Sequence, residues 1–215
     1  MFFTAENGNM QELAAFGGPK TVPDGMIQTW PPLTQEDRDA VMAVFDSNIL
    51  HGTSAPNAVA LQEEFAAFIG VKHCLVTNSG TSALHMAVAS LGIGPGDEVI
   101  VPAFTYWSTA AAVLHHNAIP IFVDIELETF SIDPTKIEAA ITDRTKAILP
   151  VHIHGMPVDM GAVMAIARKH NLLVLGDACQ AHGCKWNGKM IGTMADATGF
   201  STNRSKCLSS GEGGL

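Results

Sequence analysis

The sequence contains little charge and no long apolar run. Charged residues make up 15% of its 215 residues, and hydrophobic residues make up 47%. No apolar stretch reaches the roughly 20 residues that a membrane-spanning helix needs. The opening MFFTAENGNM also lacks the basic start and apolar core of a secretory signal. We therefore expect a cytoplasmic protein that does not enter a membrane.

Basic residues are scarce and scattered. The 12 Lys and Arg are outnumbered by 21 Asp and Glu, which gives a net charge of −9. A protein that binds nucleic acid usually carries a basic patch that follows the phosphate backbone, and no such cluster exists here. We expect no nucleic-acid partner.

The cysteines and histidines show no metal-binding pattern. There are four cysteines, Cys74, Cys179, Cys184 and Cys207, without a CxxC pair or a zinc spacing, and we expect them to be reduced. Among nine histidines, the pairs His115–His116 and His152–His154 lack the i, i+4 spacing of a helical zinc site. We expect no metal.

The hydrophobic pattern and the positions of Gly and Pro divide the chain into an arm and one domain. Residues 1–33 are irregular and rich in Gly and Pro turns, which predicts an N-terminal arm. Residues 34–215 alternate between helical and strand patterns with short connections. Helices are predicted over 34–48, 61–70, 81–91, 108–116, 134–141 and 160–170. Strands are predicted over 73–77, 97–101, 119–124, 147–152, 172–176 and 195–201. This alternation predicts an α/β fold with a mostly parallel sheet sandwiched by helices.

Polar residues collect where the predicted strands end. Ligands of parallel α/β sheets bind at that edge, in the loops that lead into helices. The segments in question are Asn78–Ser82, Phe104–Trp107, Asp177–Gln180 and Ser201–Lys206. We expect one site to contain them all.

Two of these segments suggest binding sites for groups of opposite charge, one for an anion and one for a cation. At Thr81 and Ser82 a glycine turn opens a helix, an arrangement that binds phosphate through free amides, although it also fits an ordinary capped turn. Asp177 follows an apolar strand and needs a cationic partner such as a pyridinium nitrogen, unless it only caps the next turn. Gln180 is close enough in sequence to reach the same ligand.

The remaining segments suggest an amine and a flat ring. Lys206, beside a Gly-rich loop, could be desolvated enough to form a Schiff base, although a lone lysine is more often a solvated side chain. Tyr106 and its neighbour Trp107 could stack on a cofactor ring or could simply belong to the core.

Taken together, these segments resemble the DegT/DnrJ/StrS aminotransferases, which are pyridoxal 5′-phosphate (PLP) enzymes of fold type I that aminate keto-sugars. The resemblance runs from about Gly17 to the last residue. It rests on GGPK (17–20), NSGTSAL (78–84), GDEVIVPAFTYWSTAAAV (96–113), AILPVHIHGMPVDM (147–160), GDACQAHG (176–183) and FSTNRSKCLSSGEGG (200–214). Gly176 and Cys179 depart from the family's usual Glu and Ala.

The resemblance implies a role for each residue of the site. Lys206 is expected to be catalytic and to carry PLP as a Schiff base. Asp177 is expected to pair with the ring nitrogen, and Gln180 to bond near the phenolic oxygen.

The resemblance also implies the contacts at the other end of the cofactor. Ser201 is expected to bind the phosphate together with the backbone at Thr81 and Ser82. Tyr106 is expected to stack on the ring, with Trp107 as the weaker candidate.

The implied reaction moves an amino group from L-glutamate (or glutamine) to a keto-sugar, a nucleotide-linked keto-sugar or a cyclitol ketone, in a homodimer. Family members continue for a further stretch about as long as this chain. We therefore expect residues 34–215 to be a PLP-binding large domain without the family's C-terminal small domain, and the chain could be an inactive fragment.

Three alternatives remain. A PLP-dependent sugar dehydratase shares the scaffold, but such relatives replace the lysine with histidine, so Lys206 argues against it. A PLP-binding protein that is catalytically silent or regulatory is the second alternative, and a purely structural α/β module is the third.

Overall fold

The computed structural model describes residues 13–52 and 55–215. Its α-helices are α1 (Gln35–Ser47), α2 (Pro56–Ile69), α3 (Gly80–Ser90), α4 (Ser108–Leu114), α5 (Pro134–Ile137) and α6 (Met160–His170). Its strands are β1 (Glu98–Pro102), β2 (Ile119–Val123), β3 (Thr145–Ile148), β4 (Leu173–Asp177), β5 (Lys185–Trp186), β6 (Lys189–Met190) and β7 (Ala197–Gly199). Short 3-10 turns lie at Ala14–Phe16, Glu138–Ala140 and Ile153–Gly155.

The main sheet has five strands in the order β2-β1-β3-β4-β7. All four pairings are parallel. Helices α4, α5 and α6 each connect one strand to the next, as parallel neighbours require. The predicted α/β fold with a parallel sheet is confirmed.

Helices cover both faces of this sheet. Successive side chains of a strand point to opposite faces, and β1 is buried along its whole length. Ile100 belongs to an apolar cluster with residues of α2 and α6. Val99 and Val101 belong to a second cluster with residues of α3 and α4. The sheet is therefore sandwiched, as the sequence predicts.

Local signals fix the ends of the first two helices. Thr34 Oγ1 accepts a hydrogen bond from Asp37 N (3.2 Å), while Asp37 Oδ2 accepts one from Thr34 N (2.7 Å), so α1 begins with a reciprocal capping box. Helix α2 ends at Gly70, whose φ of 89° is left-handed and suits a residue without Cβ. Both ends match the prediction.

The predicted strand over residues 73–77 is wrong. Only Thr77 forms a bridge, exchanging main-chain hydrogen bonds with Gly214 at 2.8 and 3.0 Å. Residues 72–75 instead line a mostly apolar cavity of about 570 Å³, together with residues 192, 193 and 195–198. A strand needs a hydrogen-bonded neighbour, and none lies beside residues 73–76 in the described chain.

The other predicted elements exist with shifted ends, and one element was missed. The strands predicted over 147–152 and 195–201 are β3 and β7, which end at Ile148 and Gly199, and the helix predicted over 134–141 is α5 followed by a 3-10 turn. The antiparallel hairpin β5–β6 was not predicted. Asn187 and Gly188 form its turn with φ values of 47° and 78°, and an Asn-Gly pair is a strong hairpin signal.

The described part of the predicted arm, residues 13–33, is irregular and largely exposed. Residues 1–12 lie outside the described residues. No helix in the two described ranges is both long enough and apolar enough to cross a bilayer.

Candidate active site

A cavity of about 290 Å³ lies where β1, β4 and β7 end. Its lining contains six of the seven residues that the sequence predicts for the site: Thr81, Tyr106, Asp177, Gln180, Ser201 and Lys206. Ser82, the seventh, does not line the cavity, because its amide and hydroxyl face Ser79 in the cap of α3.

Asp177 is a buried carboxylate at one end of the cavity. It is the last residue of β4 and is 5% exposed. Its Oδ2 accepts a hydrogen bond from Thr109 Oγ1 (2.8 Å), and its Oδ1 accepts one from Cys179 N (3.1 Å). Burial raises the pKa of the Asp177 carboxyl, and the hydrogen bonds from Thr109 and Cys179 and the charge of Lys206 offset only part of that rise. A cationic group in the cavity would stabilise the carboxylate.

The start of α3 has the features of an anion site. Ser79 caps this 11-residue helix by accepting from Ser82 N at 3.1 Å. The amides of Gly80 and Thr81 donate to no group in the described chain and lie at the positive end of the helix dipole.

Gly80 brings this helix end against Ser201. A Cβ placed on Gly80 would stand 2.6 Å from Ser201 Cβ, so only glycine fits there. The Ser201 hydroxyl accepts from Asn203 N at 3.3 Å, which leaves its proton free to donate to an anion.

Lys206 lies on a turn that follows β7. Its main-chain N donates to Asn203 O at 2.8 Å, and the side chain is partly buried. Lys206 lines the cavity together with Asp177 and Cys179. The lysine and the buried carboxylate therefore belong to the same site.

Gln180 and Tyr106 complete the lining. Gln180 Oε1 accepts from His154 N at 2.8 Å, so its amide nitrogen is the group left to donate into the cavity. The Tyr106 side chain is 60% exposed and lines the cavity, whereas Trp107, whose ring centre is 5.7 Å away, does not.

Thr109 is the contact that the sequence reasoning missed. It lies in α4, inside the segment 96–113 that carries the resemblance, but nothing in the sequence pairs it with Asp177. Within the described ranges, no group of three His, Cys, Asp or Glu residues is arranged to hold a metal ion.

These residues fit a ligand that has a cationic ring nitrogen near Asp177, a phosphate near α3 and an aldehyde near Lys206. A sandwiched parallel sheet with such a cavity defines the class: the fold is that of the PLP-dependent aminotransferases. The model of the DegT/DnrJ/EryC1/StrS aminotransferase family matches residues 31–215. The chain belongs to this family.

Named relatives agree with this assignment. GDP-perosamine synthase of Caulobacter vibrioides is 43% identical over 86% of this chain and 50% of its own length. L-glutamine:2-deoxy-scyllo-inosose aminotransferase of Streptomyces lividus is 39% identical over 95% of this chain and 49% of its own. The crystal structure of ntda from Bacillus subtilis, with bound cofactor PMP, is 33% identical, has a TM-score of 0.78 and is matched over 98% of this chain and 49% of its own. The chain therefore spans about half the length of the curated relatives it matches.

Proposed function

We propose that this chain forms the PLP-binding part of an aminotransferase that moves an amino group from L-glutamate or L-glutamine to a keto-sugar, a nucleotide-linked keto-sugar or a cyclitol ketone. The observation that carries the proposal is that the buried carboxylate of Asp177 and the amine of Lys206 line one cavity. The printed activities of the C. vibrioides and S. lividus relatives support the acceptor class.

Asp177 holds the proton on the ring nitrogen. A carboxylate that is buried without a cation is destabilised, so it favours the protonated ring when the ring is bound. The hydrogen bonds from Thr109 and Cys179 fix both of its oxygens in place. When bound, PLP supplies an electron-accepting ring that stabilises negative charge at the donor's Cα.

The N-terminus of α3 and the Ser201 hydroxyl hold the phosphate. Gly80 and Thr81, whose amides are free, line the cavity, and the helix dipole adds to their attraction for an anion. Tyr106 and Gln180 also line the cavity. Tyr106 would stack on the ring, and the Gln180 amide nitrogen would donate to the phenolic oxygen, so that together they would orient the ring.

Lys206 Nζ is the attachment point for the cofactor and the base that moves a proton. With PLP bound, the Lys206 amine would take a proton from the donor's Cα as a general base and return it as a general acid.

We also propose that residues 34–215 are a large domain preceded by an arm of residues 1–33, and that the protein is a cytoplasmic homodimer. Helix α1 buries no residue and exposes Val41, Met42 and Phe45. Exposed apolar faces of this kind are typical of interaction surfaces. Cys207 is a free, exposed thiol, which suits a reducing compartment.

A catalytically silent PLP-binding protein is the second candidate. Its support is that the chain spans 49% of the length of the S. lividus relative.

The distinguishing experiment adds PLP to the purified protein and then L-glutamate or L-glutamine. The aminotransferase proposal predicts a visible band that disappears as pyridoxamine 5′-phosphate and the oxo-acid form in equal amounts. A band that persists with either donor supports the silent binder. If no band forms with PLP, both candidates are excluded.

A further inference from the structure

We infer that Trp30 of the N-terminal arm is a positioning residue for Lys206. Trp30 Nε1 donates a hydrogen bond of 3.2 Å to the main-chain carbonyl of Lys206, 176 residues away. The inference rests on the proposed function, because it matters only if the Lys206 amine must be held towards a bound cofactor.

The loop around Lys206 has more main-chain hydrogen bonds before the lysine than after it. Before the lysine, Arg204 N donates to Gly211 O (2.7 Å), Ser205 N to Asn203 Oδ1 (3.0 Å) and Lys206 N to Asn203 O (2.8 Å). These bonds restrain the chain that leads into the lysine.

After the lysine, restraints are few. Within the described chain, the main-chain amides of residues 207–209 donate to no group, and the next main-chain bond is Ser210 N to Thr202 O at 2.8 Å. The bond from Trp30 is therefore the restraint on the peptide that follows Lys206.

The same bond ties the arm to the domain. Among residues 13–33, Trp30 makes the only hydrogen bond to any later part of the described chain. Trp30 is 51% exposed, so it does not belong to the core. The arm thus meets the domain at the residue whose side chain must reach the cofactor.

Restraining this carbonyl limits rotation of the Lys206 backbone. Because the direction of a side chain follows from its backbone, a freer loop spreads the amine over more positions and reduces the fraction that faces the cavity. Loss of the bond should weaken PLP binding without removing any group that touches the cofactor.

The test compares Trp30→Phe with the matched control Trp186→Phe. Phenylalanine keeps a flat ring but lacks the indole N–H. Trp186 lies on the hairpin β5–β6, and its indole N–H donates to no group in the described chain. In the protein without cofactor, the amides of Arg204, Lys206 and Ser210 should exchange hydrogen about three- to tenfold faster in Trp30→Phe than in the control. The dissociation constant for PLP should rise by a similar factor.

Two outcomes overturn the inference. One is loop exchange and PLP affinity equal to those of the control. The other is faster amide hydrogen exchange across the whole chain of Trp30→Phe, together with a lower unfolding midpoint. That result would show that Trp30 stabilises the protein in general and does not position Lys206. If the loop alone loosens but the unsubstituted protein never attaches PLP, the Trp30 contact stands and the proposed function fails.

Discussion

Thr109 Oγ1 donates a hydrogen bond of 2.8 Å to Oδ2 of Asp177, which joins the first turn of α4 to the end of β4. The two residues are 68 positions apart and both are buried. This bond fixes the direction of the carboxylate that we assign to the cofactor's ring nitrogen. Its donor is a neutral hydroxyl, so the negative charge remains available to a cation.

Replacing Thr109 with valine should weaken PLP binding. Valine has nearly the same shape but leaves Asp177 Oδ2 without its donor, which raises the pKa of the carboxyl further. A hydrogen bond to a charged group contributes about 1.5–3 kcal/mol, so the dissociation constant should rise about tenfold or more in an absorbance titration. Thr109→Ser keeps the hydroxyl and is the control. Equal affinities for the two variants would contradict the assigned role.

Asp177 should make the cofactor-free protein less stable as the pH rises. Burial raises the pKa of its carboxyl above the unfolded value, so the folded state binds more protons once the pH exceeds the ordinary carboxyl range. The free energy of unfolding therefore falls as the pH rises from the pKa of the unfolded carboxyl to the higher pKa of the folded one. Asp177→Asn removes the titrating carboxyl. The variant should therefore have a higher free energy of unfolding than the unsubstituted protein, by about zero at low pH and by about 1–3 kcal/mol at neutral pH. Urea unfolding at several pH values measures this, and a gain independent of pH would refute it.

Gly80 should tolerate no side chain. Alanine there would bring Cβ to 2.6 Å from Ser201 Cβ and 3.1 Å from Cys179 Sγ. We expect Gly80→Ala to cost about 1–3 kcal/mol of unfolding free energy and to weaken PLP binding by moving α3 away from Ser201. Gly94→Ala is the control, because nothing lies within 4 Å of its added Cβ. Indistinguishable denaturation curves for the two variants would show that the close approach is not required.

Thr198 should be replaceable by valine with a gain in stability. Its buried hydroxyl oxygen has no hydrogen-bond partner in the described chain. A methyl group of similar volume removes that unsatisfied group, so the free energy of unfolding should increase by about 1 kcal/mol. Thermal denaturation of the cofactor-free variant tests this, with PLP binding unchanged because Thr198 does not line the cofactor cavity. A lower melting temperature would rule it out.

Local signals in the sequence were sufficient for much of the fold. Three features depend only on residues that are close together in the chain: the capping box of Thr34 and Asp37, the left-handed Gly70 and the apolar pattern of β1. Parallel order followed from the alternation of helices and strands. The hairpin turn at Asn187 and Gly188 is equally local, because an Asn-Gly pair indicates such a turn by itself.

The features that could not be predicted from the sequence depend on contacts between residues far apart in the chain. Residues 73–77 have the composition of a strand, but a strand forms only beside a neighbour that bonds along its length, and Gly214 offers a single bridge. The contacts of Asp177 with Thr109 and of Lys206 with Trp30 likewise join segments that no local pattern relates. The polar segments at the strand ends indicate the site residues, whereas their roles come from the resemblance and remain predictions.

The most direct test of the account identifies the atom that carries the cofactor. The protein and its Lys206→Ala variant are each incubated with PLP, reduced with borohydride and digested. Their peptides are then compared by mass spectrometry. We predict a single reduced phosphopyridoxyl adduct on Lys206, absent from the variant. An adduct on another lysine, or one of equal yield in Lys206→Ala, would contradict the central claim.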